Sequence, residues 1–100
     1  MRIIELDAGG CKTQPDFLDA VGRAIGAPQG HDWDVDAIVD SIVRGGSVQP
    51  PYTIRIVGTA KADSKVKTEI EALAKALKDA RLWRHNHRHD DIEVTVEIVP

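Results

Sequence analysis

Three short runs have the composition of β-strands: residues 2–6, 52–57 and 92–98. The last alternates strictly, with Ile92, Val94, Val96 and Ile98 on one side and Glu93, Thr95 and Glu97 on the other. Both intervals between these runs are far too long for hairpins, and both contain apolar residues at helical spacing. Strands linked through helices favour parallel pairing by right-handed crossovers. The chain is therefore expected to form a small three-stranded parallel sheet. The alternation of the last strand predicts one sheet face open to water, with the helices packed on the other. The expected class is a two-layer α/β fold with three to four helices.

The helical stretches carry their own punctuation. Thr13 is placed to cap a first helix, with Pro15 in its first turn and Asp16 three residues after the cap. Phe17, Leu18, Val21, Ala24 and Ile25 then form the apolar stripe, and Gly26-Ala27-Pro28 ends it. Residues 29–34 read as a loop. A second, shorter helix is expected to start near Asp34, its apolar positions being Val35, Ile38, Val39 and Ile42, and to stop at Gly45-Gly46. Pro50-Pro51 marks the turn into the middle strand. Asp63 is expected to cap a third helix that ends near Trp83, with Val66, Ile70, Leu73, Leu77 and Ala80 facing inward. Residues 84–91 are polar and read as a loop, with Trp83 covering the helix end. At 100 residues and 42% hydrophobic, the chain suits one domain spanning residues 1–100. Only 4% is aromatic, so the core must be aliphatic.

The single cysteine, Cys11, excludes an internal disulfide and suits a reducing compartment. No run approaches the roughly 20 apolar residues of a membrane span, and the N-terminus lacks the apolar core of a signal peptide. A soluble cytoplasmic protein is expected, with no membrane partner. The net charge of −3 argues against direct binding of nucleic acid. No nucleophile–base set is readable, so no enzyme is expected, and nothing calls for a cofactor.

The charge is concentrated. Residues 32–40 hold four aspartates and no Lys or Arg, a formal −4 that exceeds the −3 of the whole chain. Asp32, Asp34 and Asp36 fall at or near a helix N-terminus, where exposed N–H groups favour an anion by roughly 0.3–1 kcal/mol. Asp40 has no such reason to be there. It lies beyond the first turn, where Asp is a poor helix former, and one turn from the like charge of Asp36. Arg44, four residues on, is a local partner. The residues allow either a solvated, self-paired acidic face or an anionic prong for a cationic cleft.

The run Asp34-Val35-Asp36-Ala37-Ile38-Val39-Asp40-Ser41-Ile42 resembles the signature helix of the barstar family, bacterial inhibitors of guanyl-type ribonucleases. The likeness extends to residues 18–28, to the Gly after the helix and to Pro50-Pro51-Tyr52-Thr53-Ile54-Arg55-Ile56. It implies a barstar-like fold and an intracellular inhibitor whose acidic helix blocks a ribonuclease active site. By the resemblance, Asp36 and Asp40 face the nuclease's catalytic Arg, Lys and His, and Asp40 takes the place of the substrate phosphate. Asp34, Trp33, His31, Val35, Val39 and Asp32 would complete the contact. The chain differs from the family in its loop, here Gly30-His31-Asp32-Trp33. It also has Val39 and Gly45-Gly46 where the family often places aromatics.

Two other readings attach to other features. The acidic helix could serve a basic partner that is not a nuclease, making the chain a general interaction module. Alternatively, His85, His87 and His89 would share one side of an extended segment and could bind zinc or nickel. The Arg residues among them oppose a cation. The same basic segment could pair with the acidic patch of a second copy, giving weak self-association of a protein otherwise expected as a monomer.

Overall fold

The computed structural model describes residues 2–26, 34–44, 48 and 50–100. The elements are β1 (Arg2–Asp7), α1 (Gln14–Ala24), α2 (Val35–Arg44), β2 (Tyr52–Val57), α3 (Ser64–Arg88) and β3 (Val94–Ile98). Short 3-10 turns follow β1 at Ala8–Gly10 and β2 at Thr59–Lys61. The sheet order is β1-β2-β3 and both pairings are parallel. The chain forms the expected three-stranded parallel sheet, and the described residues include three α-helices, within the expected three to four.

The register sorts the two sheet faces. Ile4, Ile54 and Val96 lie side by side, as do Leu6, Ile56 and Ile98. This is the core face, where Tyr52, Ile54 and Ile56 of the central strand are buried. On the other face Glu5, Arg55 and Glu97 form a row, with Arg55 Nε 3.4 Å from Glu97 Oε2. The helices meet the core face with Phe17, Leu18, Val21 and Ile25, with Ile38 and Ile42, and with Val66, Ile70, Leu73 and Leu77.

The helix starts follow the expected chemistry. Thr13 Oγ1 accepts from Asp16 N at 3.2 Å, and the Asp16 carboxylate reaches back to accept from Lys12 N at 3.3 Å. Asp63 caps α3 by accepting from Lys65 N. Gly26 ends α1 with φ +74°, a conformation glycine takes without strain. Gly58 is needed for a different reason. At φ +68°, a Cβ there would also stand 2.6 Å from Asp7 Oδ1, the oxygen that caps the turn after β1.

Two boundaries differ from the sequence reading. Helix α3 does not stop near Trp83; it runs to Arg88, and His89 closes it in the left-handed region. The supposed loop at residues 84–91 is mostly helix. Basic residues in a last turn are favoured by the helix dipole when charged, and this turn holds Arg88 with His85 and His87. Nor does β3 begin at Ile92. Glu93 has φ +62°, and the Asp91 carboxylate accepts from its N–H at 3.2 Å, so the chain kinks before the strand starts. Ile92 is buried all the same, carried inward by the kink.

Arg81 fastens that kink to α3. Its Nε and Nη2 donate to the two Asp91 oxygens at 2.8 and 2.6 Å, and its Nη1 donates to Thr95 Oγ1 at 3.3 Å. The Arg81 guanidinium holds the Asp91 carboxyl down at a pKa of about 2, helped by the Glu93 N–H. Beyond Val94 the cover of α3 over β3 thins: Val96 is half-buried and Ile98 is 46% exposed.

Candidate partner-binding face

Helix α2 divides its residues between two duties. Ile38 and Ile42 are buried, and Val35 and Val39 pack half-buried against the same core. These four fix the helix to the body of the protein. Asp36 and Asp40 are exposed on the opposite side. They are one turn apart, which places their Cβ atoms about 5–6 Å from each other. Asp34 serves the helix itself: its Oδ1 accepts from Ala37 N at 2.7 Å, the N-cap bond expected from its position.

Asp40 pairs with Arg44, with Nε 3.1 Å from Oδ2. Both side chains are more than half exposed, so the pair is worth only about 0.3–0.5 kcal/mol. The carboxylates of Asp36 and Asp40 are thus held in place by the helix rather than by partners. Of the expected contact residues, Asp34, Asp36 and Asp40 lie on α2 or at its start, and Val35 and Val39 lie on its inner half. His31, Asp32 and Trp33 fall outside the described residues.

Val43, Trp83, Arg84 and Arg88 were not read from the sequence as part of this face. Val43 is 37% exposed and lies one turn beyond Asp40 on the same side of α2. It lines a hollow of about 300 Å3 with Ala80, Trp83, Arg84, Arg88 and Ile92. The signal for these positions was helical phase. The inward stripe of α3 runs 66, 70, 73, 77, 80, and its next step is 84. Arg84 therefore points inward, its side chain 23% exposed and its Nε 2.9 Å from Asp90 Oδ1, an ion pair without hydrogen-bond alignment. Trp83 is turned out by the same phase. It does not cover the helix end: it is 52% exposed and stacks on His87, ring centroids 4.6 Å apart. His87 Nδ1 donates to the Trp83 carbonyl at 2.9 Å. A larger trough of about 600 Å3 lies between α3 and β3 and includes no residue of α2.

The histidines do not make a metal site in this helix. Residues two apart on an α-helix point about 200° away from each other, so His87 faces away from His85, and His89 lies past the helix end in the left-handed region. Among the described residues no group of three His, Cys, Asp or Glu side chains could hold a metal ion. Nor, among those residues, is any helix long and apolar enough to cross a membrane. Cys11 lies in the turn after the first 3-10 segment, its thiol pKa raised by burial and by Asp16 and Asp7. That is the opposite of what a reactive thiol needs.

A family model described as Barstar (barnase inhibitor) matches residues 1–98. The chain belongs to the barstar family. The match covers the whole sheet and all three helices, so it reaches well past the signature run in α2. Barstar is an inhibitor family rather than an enzyme family. No curated protein matches the chain individually.

Proposed function

We propose that this barstar-family protein inhibits a guanyl-type ribonuclease by placing α2, and the run before it, in the enzyme's active-site cleft. The observation that carries this reading is Asp40. It stands exposed in the middle of a helix, where Asp is intrinsically poor and where Asp36 repels it. Stability gives no reason for it, whereas a cationic cleft does. In that cleft Asp40 would occupy the phosphate position, with Asp36 beside it facing the catalytic cations.

The helix suits such a role because it is already formed. Ile38 and Ile42 anchor it and Asp34 caps its start, so little ordering is left to oppose binding. Releasing Asp40 from Arg44 costs little, for the reason given above. Val39 is half-buried, where the family often exposes an aromatic, so affinity rests more on charge here than in those relatives. Charge-steered association is documented for barnase and barstar themselves, and a salt-sensitive on-rate is therefore a family expectation for this chain.

Calorimetric titration of a guanyl-type ribonuclease, at low and at high salt, tests this reading. Binding is expected to weaken with salt and to fall more than tenfold, about 1.4 kcal/mol, in Asp40→Ala. An Asp40→Ala protein that binds as tightly as the wild type would remove Asp40 from the centre of the interface. Failure of the wild type to bind any such ribonuclease would overturn the inhibitor reading.

A further inference from the structure

We propose that the outer face of α2 and the basic end of α3 together form a self-complementary surface, which closes a two-fold dimer of this chain. Asp36, Asp40 and Val43 follow one another along one side of α2. By the helical rise, Asp40 lies about 4–5 Å and Asp36 about 10 Å from Val43 along the axis. Across the hollow from Val43 stand Trp83, Arg84 and Arg88. The surface is thus anionic on one side, apolar at its centre and cationic on the other.

The two charged sides are not joined within the chain. Among the described residues no ion pair links Asp36 or Asp40 to Arg84 or Arg88; Asp40 is paired with Arg44, and Arg84 with Asp90. Arg88 is exposed and has no ion pair among those residues. A two-fold rotation through the hollow lays the aspartates of one copy on the arginines of the other, and does so twice. That is the condition for an isologous contact, which ends at two copies. The same rotation sets Val43 of each copy against Trp83 of the other. They are 37% and 52% exposed, and Trp is a residue type that anchors interfaces. The occupant of this surface is accordingly a second copy. Self-association would cover the face assigned above to the ribonuclease, so the two would exclude each other. The dimer itself needs no nuclease, and its test is independent of that reading.

Sedimentation or light-scattering mass is measured up to about 1 mM protein. It is taken at about 0.01 M and at about 1 M salt, where exposed charges are screened beyond about 30 Å and 3 Å. The wild type is expected to approach twice the monomer mass at low salt and to return toward monomer at high salt. Trp83→Ala is expected to weaken the dimer at least about tenfold. Asp40→Lys and Arg88→Glu, each alone, should stay monomeric, because each sets like charges against each other at both contacts. An equimolar mixture of these two variants restores both contacts and should dimerise. A wild type that remains monomeric at low salt overturns the proposal. So does mass that grows past two copies, or a mixture no heavier than its components.

Discussion

The acidic start of α2 and the basic end of α3 are the two charge runs of this molecule, and they differ in how they are held. In α2 the charges sit outside a regular apolar stripe, and Ile38 and Ile42 decide where the helix lies. At the end of α3 the stripe runs out of apolar residues, and Arg84 takes the inward position. The first run is a set of charges on a packed helix. The second is a helix end that lasts because its charges and rings satisfy one another and the dipole. Stability in α2 should therefore be insensitive to its outer aspartates, and stability at the end of α3 should depend on its cations.

The largest effect expected is at the α2 anchor. Ile38→Ala should destabilise the protein by about 2–5 kcal/mol, the range for truncating a fully buried aliphatic side chain. Urea unfolding with an unchanged slope would measure it. A loss below about 1 kcal/mol would mean that α2 is not held by its core stripe, and the contrast with α3 would fail.

Next comes the phase of α3. Arg84→Ala should cost about 1–2 kcal/mol, from the packed stem and the pair with Asp90. Trp83→Ala should cost under about 1 kcal/mol although it removes more atoms, because Trp83 stands outside the stripe. If Trp83→Ala proves the costlier, the helix end is turned differently from the arrangement described.

That phase also shows where the sequence was legible. Parallel pairing, all three N-caps and the helical part of the core could be read from spacing and capping chemistry, whereas Ala8, Ala62 and the buried side of β2 were not read from the sequence as core. The end of α3 could not, because a run of Arg, His and Asn has no apolar period, so it read as a loop. The missing physical term was the dipole. It was credited to the aspartates at the start of α2 but not to the cations at the end of α3. Ile92 was assigned to β3 because alternation is blind to a single left-handed residue, Glu93. At the candidate face, Asp36 and Asp40 were legible because an interior Asp beside a like charge defies helix propensity. Val43, Trp83, Arg84 and Arg88 were not, because their grouping depends on the true length of α3.

The aspartates of α2 can be separated from one another by the same measurement. Asp34→Ala should lose about 1 kcal/mol with its cap bond to Ala37 N. Asp40→Ala should change stability by no more than about 0.5 kcal/mol, since the Arg44 pair and the Asp36 repulsion nearly offset. A large loss at Asp40 would make it a structural residue and weaken its assignment to binding.

The last effect depends on pH and is centred on Asp91, which ties the kink before β3 to α3. Its pKa is held at about 2 in the folded protein, below the ordinary value near 3.9 of an unfolded chain. A carboxyl whose pKa is depressed by folding adds stability that is fully present above the unfolded pKa. That stability is lost as pH falls from about 4 toward 2. Both partners are more than one-third exposed or close to it, so solvent screening keeps the contribution to no more than about 1 kcal/mol. Asp91→Asn should therefore be less stable than the wild type at neutral pH, and the difference should shrink toward zero near pH 2. Unfolding curves of the two proteins across that window would show it. A difference that stays constant across that window would mean that the charge pairing of Asp91 with Arg81 contributes nothing, because an Asn oxygen can keep the Glu93 N–H bond and only the charge responds to pH. The end of α3 would then be held by its rings and by the dipole, with the Arg81 clasp contributing nothing that acid can remove.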